Sequence, residues 1–184
     1  MTAATQTVQT LDDLMRHDGK AELIGGRVVP IMPTGFLPGK VSRRITRSLE
    51  DSRVPGEIVQ DDVGYGFSSP LPSGRQSLSP DTSFYTGPLP SGLGFVRDYP
   101  PDFAVEVRSE HDYGPAQDRE YAAKRKDYFF AGTQVVWDVD PVARTVTVYR
   151  AADPLAGVRL EVGDVAHAEP AVPGWRVAVA DLFV

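Results

Sequence analysis

Hydrophobic positions in the chain fall into short periodic runs separated by stretches rich in glycine, proline and serine, and each run predicts an element. Over residues 8–17, Leu11, Leu14 and Met15 recur at helical spacing until Asp18-Gly19 interrupts them. AELIGGRVVPIM reads as two short strands, 21–24 and 27–31, folded back at Gly25-Gly26. Adjacent glycines supply the positive φ angles that a tight hairpin turn needs. Val41, Ile45 and Leu49, at i, i+4 and i+8, place one apolar stripe on a helix over residues 38–51. Residues 62–101 are so rich in Gly, Pro and Ser that loops and short strands are expected, with one strand at 82–85. Within that stretch PLPSGRQ and GPLPSGLG look like exposed turns. The run FAVEV predicts a strand at 103–108, and residues 118–131 form a helix closed by Gly132. Strands at 134–139 and 145–149 flank a turn through Asp140-Pro141, and the remainder is β-rich. No linker divides the chain, so a single α/β (α+β) domain over residues 1–184 is expected.

Composition narrows the function classes. At 41% hydrophobic and 24% charged residues the 184-residue chain is ordinary for a folded globule. The absence of cysteine excludes disulfides, thiolate-ligated metals and a thiol nucleophile. No apolar run reaches the roughly 18–20 residues of a membrane span. The start MTAATQTVQTLDDLM lacks a basic, apolar secretory pattern, which predicts a cytoplasmic protein. A net charge of −6 argues against a surface coated in nucleic acid, while leaving room for a local basic face.

Glu106 is the first candidate for chemistry. Period 2 puts Phe103, Val105 and Val107 on one face of its strand and Asp102, Ala104, Glu106 and Arg108 on the other. That pattern suits a solvated face and an active-site face alike. Asp102 and Glu106 are about 13 Å apart along the strand at about 3.3 Å per residue, too far to share one cation. The second carboxylate must come from a neighbouring element, and Asp81, leading into the preceding strand, is placed to supply it. Asp102 reads better as a strand-start or turn residue.

Lys124 flanks the aromatic positions Tyr121 and Tyr128 of the second long helix. From there it either snorkels along the surface or reaches inward across the sheet, whereas Arg125 and Lys126 point elsewhere. Two carboxylates and an ammonium are groups with which a divalent cation and a positioned water hydrolyse a phosphodiester, and the same set equally suits other metal hydrolases. Lys40, Arg43, Arg44 and Arg47 share one helical face nearly opposite Val41, Ile45 and Leu49. Such a face meets a phosphate backbone or is simply solvated among the abundant acids. His17, His111 and His167 form no metal-ligand pair, and no phosphate-cradling glycine loop is present. Trp137 and Trp175 read as core or rim aromatics, and Ser109 has no base placed beside it.

The ordered series AELIGGRVV, SPDTSFYTG, PPDFAVEVRSE, KRKDYFFAGTQVVWDVDP and VPGWRVAVADLF resembles the Uma-type (Uma two) family within the PD-(D/E)XK nuclease superfamily. The resemblance implies a restriction-endonuclease-like core: a mixed central sheet flanked by helices, with an added N-terminal hairpin. It implies a DNA endonuclease using Mg2+ or Mn2+, with Asp81 and Glu106 as metal ligands and Lys124 as the catalytic lysine. The superfamily's usual lysine position holds Arg108 here, and Glu22 matches a recurrent glutamate. Two other readings remain: a non-catalytic binding module that keeps the fold, and a homodimer that pairs through apolar strand edges.

Overall fold

The computed structural model describes residues 8–60 and 63–184, so the first seven residues and Asp62, the expected start of the loop-rich stretch, lie outside the described residues. Helix α1 (Leu11–Met15) leads into the hairpin strands β1 (Ala21–Ile24) and β2 (Arg27–Pro30). Helix α2 (Phe36–Ser52) follows. Then come β3 (Glu57–Gln60), β4 (Tyr65–Gly66), β5 (Ser77–Leu78), β6 (Thr82–Tyr85), β7 (Val96–Arg97) and β8 (Phe103–Val107). Helix α3 (Pro115–Ala131) precedes β9 (Val135–Asp140), β10 (Thr145–Arg150), β11 (Asp153–Leu160), β12 (Val165–His167), β13 (Arg176–Ala178) and the short helix α4 (Val179–Leu182).

A six-stranded sheet in the order β11-β10-β9-β8-β6-β3 forms the centre. The β8–β9 pair, joined through α3, is parallel; the other neighbours are antiparallel. This is the expected mixed sheet flanked by helices, and the hairpin stands apart as its own two-stranded sheet. Strand β8 is buried along its whole length, so both faces need covering. Phe103, Val105 and Val107 pack with Val41, Ile45 and Leu49 of α2 and with Trp137 and Trp175, whose rings stack at 5.1 Å. On the opposite face, Ala104 and Val136 pack against Tyr128 of α3, Tyr65 and Leu71. The alternation in FAVEV therefore separates two buried faces, rather than one buried and one wet.

Several boundaries differ from the sequence expectation for local reasons. Helix α1 begins at Leu11 because Thr10 and Asp13 close a capping box there. Helix α3 starts three residues early, at Pro115, since proline without an N–H is well suited to the first helical turn. Its end is as expected: Gly132, at φ 117°, donates its N–H to the carbonyls of Tyr128 and Phe129. Strand β3 has no alternation to reveal it and exists by pairing with β6. The segment PLPSGRQ is a correction: Leu71 and Arg75 in it are buried, 6% and 4% exposed, where exposed turns were expected. Among the described residues no helix is long and apolar enough to cross a membrane.

Candidate active site

Strand β8 carries Glu106 on the face that α3 covers, and the helix meets it with two side chains one turn apart. Lys124 Nζ lies 2.9 Å from each Glu106 carboxylate oxygen, and the Tyr128 hydroxyl donates to Oε1 at 2.6 Å. The β6–β8 register pairs Thr82 with Val105, so its next step sets Asp81 opposite Glu106. Asp81 is fixed twice by the same strand. Its N–H donates to the Val105 carbonyl at 3.0 Å, and its Oδ2 accepts from the Val107 N–H at 2.7 Å. Lys20, ahead of the hairpin, stands 3.7 Å from Asp81 Oδ1.

Beyond Lys124 lies a second buried layer. Glu22 of β1 pairs with Lys124 at 3.1 Å and with Arg75 Nε at 3.2 Å, and its Oε1 accepts from the Ser79 N–H. Arg75 also contacts Glu120 and, at 3.5 Å, the fully buried Asp127, both on α3. Asp127 accepts from the N–H and hydroxyl of Ser73. Among the described residues, Lys20, Arg75 and Lys124 thus serve at least five carboxylates: Glu22, Asp81, Glu106, Glu120 and Asp127. Glu22, Asp81, Glu106 and Lys124 open on a cleft of about 310 Å3.

Burial sets the electrostatics. Desolvation, reinforced by Asp81, pushes the Glu106 carboxyl up to about 7 against the opposing pull of Lys124. Burial alone would push the Lys124 ammonium down, but Glu106 and Glu22 hold it above the ordinary lysine range. Desolvation also disfavours charge on Glu22, yet Lys124 and Arg75 together bring it below the usual carboxylate range. The Tyr128 hydroxyl is held well above its ordinary value by burial and by Glu106. Lys124 is therefore a fixed cation and Tyr128 a fixed donor, and both are aimed at one carboxylate.

Asp81, Glu106 and Lys124 come together, while the cations of α2 stand elsewhere. Lys40, Arg43 and Arg47 are exposed and Arg44 is half-buried on the solvent side of a helix that packs against the other face of the sheet. That helix still touches the site from behind, because the Ser42 hydroxyl donates to the Asp81 carbonyl at 2.9 Å. Arg108 turns away from Glu106 and makes two bonds of 2.9 Å to Asp138 and one of 2.8 Å to Asp118. Asp102 accepts from the Thr86 N–H and hydroxyl at 2.7 Å, a strand-edge clasp remote from the cleft. Among the described residues no group of three or more histidine, aspartate or glutamate side chains is placed to hold a metal ion. Arg75 and Asp127 escaped the sequence reading because neither lies in a periodic run, and their partners are some fifty residues away along the chain.

The model of a family described as "Putative restriction endonuclease", Uma2, matches residues 6–180. A crystal structure described as a "putative nuclease belonging to DUF820", from Anabaena variabilis, shares the fold at a TM-score of 0.69. Its sequence is 20% identical, over 95% of this chain and 97% of that one. No curated protein matches the chain. The family model spans the hairpin, the sheet and the cleft together, and on that extent the chain belongs to the Uma2 family.

Proposed function

We propose that the protein is a metal-dependent nuclease that hydrolyses phosphodiester bonds in DNA at the cleft between Asp81, Glu106 and Lys124. The observation that carries this reading is their convergence, Asp81 from just before β6, Glu106 from β8 and Lys124 from α3, on one open cleft. The donor set suits a hard divalent cation such as Mg2+ or Mn2+. Asp81 and Glu106 offer carboxylate oxygens, and Mg2+ is commonly held by one or two carboxylates completed by water and phosphate oxygens. Among the described residues lining the cleft, acids outnumber cations, which also favours an added cation. When bound, the ion would polarise the phosphoryl oxygen and acidify its water.

The chain's own groups do the rest. Asp81 is kept in one orientation by the Val107 N–H. Tyr128 orients Glu106 by donating to Oε1. Lys124, held as an ammonium, stabilises charge developing on the phosphate and orients the attacking water instead of removing its proton. The α2 cations Lys40, Arg43, Arg44 and Arg47 hold the backbone of the substrate by phosphate contacts.

The test is calorimetric titration with Mg2+ and Mn2+ beside cleavage of supercoiled DNA. Asp81→Asn and Glu106→Gln should remove cation binding and cleavage with the fold kept by circular dichroism. Lys124→Met should slow cleavage by about 10²- to 10³-fold, the size expected for losing one preorganised charge-stabilising group. Parental cleavage by both carboxylate variants would refute the assignment. One observation favours a non-catalytic binding module instead: both Glu106 oxygens already have protein partners. That reading predicts no heat with either cation and nucleic-acid binding unaffected by Glu106→Gln.

A further inference from the structure

An exposed apolar groove of about 480 Å3 runs beside the cleft, and the mechanism above makes no use of it. Met32, Leu37, Tyr113, Pro141 and Val142 line it together with His111 and the charged Arg108 and Glu110. Met32, Ser109 and His111 line both groove and cleft, so the two adjoin. Met32 is 76% exposed, Val142 75% and the adjoining Phe36 89%. The Tyr113 ring is set in place, its hydroxyl donating to Asp140 at 3.0 Å with the Arg108 guanidinium 6.0 Å from its centroid.

Helix α2 connects this groove to charge. Phe36, Lys40, Arg43 and Arg47 stand at i, i+4, i+7 and i+11, all on one exposed face of the helix. Among the described residues none of Lys40, Arg43, Arg44 and Arg47 has an ion-pair partner. An aromatic at the head of a row of unpaired cations is the arrangement that binds single strands: phosphates follow the charge and a base stacks on the ring. In a duplex the base faces are stacked on one another and a side chain meets only their edges, so such a patch has little to grip until a base is freed.

Resting on the nuclease reading above, we infer that the exposed Phe36 ring, at the head of the α2 cation row and beside the groove of Met32, Leu37 and Tyr113, stacks an unstacked nucleobase of the substrate strand. The substrate is then a single-stranded or locally opened nucleic acid rather than an intact duplex. Phe36 gives the base its stacking surface, the groove opening beside Leu37 receives the base's edge, and the α2 cations take the phosphates leading away.

The test needs no cation and no turnover, so it is separate from the chemistry. The full chain in EDTA is titrated, by fluorescence anisotropy, against a short oligothymidylate, an abasic strand of equal length and a duplex of equal length. Oligothymidylate should bind at least about 5-fold more tightly than either competitor, since base stacking on one aromatic is worth about 5- to 150-fold. Phe36→Ala should reduce oligothymidylate to the abasic level and leave abasic binding unchanged. The double variant Lys40→Ala/Arg43→Ala should weaken binding to all three and flatten its salt dependence. Equal affinities for the three probes, or a Phe36→Ala variant that binds like the parent, would overturn the base site while leaving the nuclease reading intact. If none of the three binds, the nucleic-acid substrate falls and the base site falls with it. A doubled mass in sedimentation that Phe36→Ala reverses, with no preference for bases, would give the patch to a second copy of the chain and likewise overturn the inference.

Discussion

The pentapeptide Pro-Leu-Pro-Ser-Gly occurs twice, at residues 70–74 and 88–92, and its two copies meet opposite surroundings. In the first, Leu71 is buried with Tyr65 and Tyr128, and the Ser73 N–H and hydroxyl donate to buried Asp127. Gly74, at φ 89°, turns the chain so that its carbonyl accepts from Gly25 in the hairpin at 2.8 Å. In the second copy Leu89 is 62% exposed, and the Pro88 carbonyl accepts from the Tyr85 hydroxyl. Identical local sequence thus builds the back wall of the cleft once and a surface loop once. The residue that follows makes the difference. Arg75 is drawn in by Glu22, Glu120 and Asp127, whereas Leu93 finds no such partners and stays in solvent.

Arg75→Met is the sharpest way to break this contrast. It leaves Glu22 and Asp127 buried without their shared cation, and removing one partner of a buried ion pair typically costs about 3–5 kcal/mol. Leu93→Arg, the mirror change in the second copy, should stay within about 0.5 kcal/mol of the parent. Urea unfolding of both variants measures the difference. Equal, small effects would mean that Arg75 follows the loop inward instead of drawing it.

The next effect concerns the leucine itself. Leu71→Ala removes a core side chain, for which about 2–3 kcal/mol is expected at a site only 6% exposed, while Leu89→Ala should be nearly neutral. Because Leu71 packs with Tyr128, the partner of Glu106, Leu71→Ala should also lower DNA cleavage, and Leu89→Ala should not. Comparable unfolding midpoints for the two alanine variants would erase the distinction.

What the sequence revealed follows the same division. Elements with periodic cores were readable: the α2 stripe of Val41, Ile45 and Leu49, the alternation in β8, and the Gly25-Gly26 hairpin all fold as their spacing directs. Asp81 and Glu106 stand out in sequence because each is a carboxylate at a strand whose partner can be guessed, and Lys124 because it borders an aromatic stripe. Arg75, Ser73 and Asp127 are different, since their burial rests on partners from the hairpin, the loop and α3 meeting in space. Only the residue after the shared pentapeptide distinguishes PLPSGRQ from GPLPSGLG, and a polar arginine there gives no local sign of burial. Strand β3 was hidden for a related reason, being defined by β6 rather than by its own pattern.

The smallest effect lies where the two copies are tied together. Ser68, just before the first copy, donates its N–H and its hydroxyl to the two Asp98 oxygens, each at 2.7 Å, and Asp98 follows the second copy. These bonds, the hydroxyl's first and the N–H second, favour the ionised carboxylate and hold Asp98 below its ordinary value of 3.8. A depressed carboxylate binds its proton less readily in the folded chain than in the unfolded one. Its contribution is therefore complete above about 4 and disappears as the pH falls through the folded-state value. The carboxylate is exposed, so solvent screening keeps that contribution slight. Carbon-detected NMR titration should place the Asp98 midpoint below 3.8. Ser68→Ala should move it upward without fully restoring 3.8, because the Ser68 N–H remains. An unmoved midpoint in that variant would show that the clip does not form in solution. With the clip present, acid should loosen the exposed loop at 88–92 before the loop at 70–74, since the first copy is also anchored by Arg75 and Leu71 and the second is not.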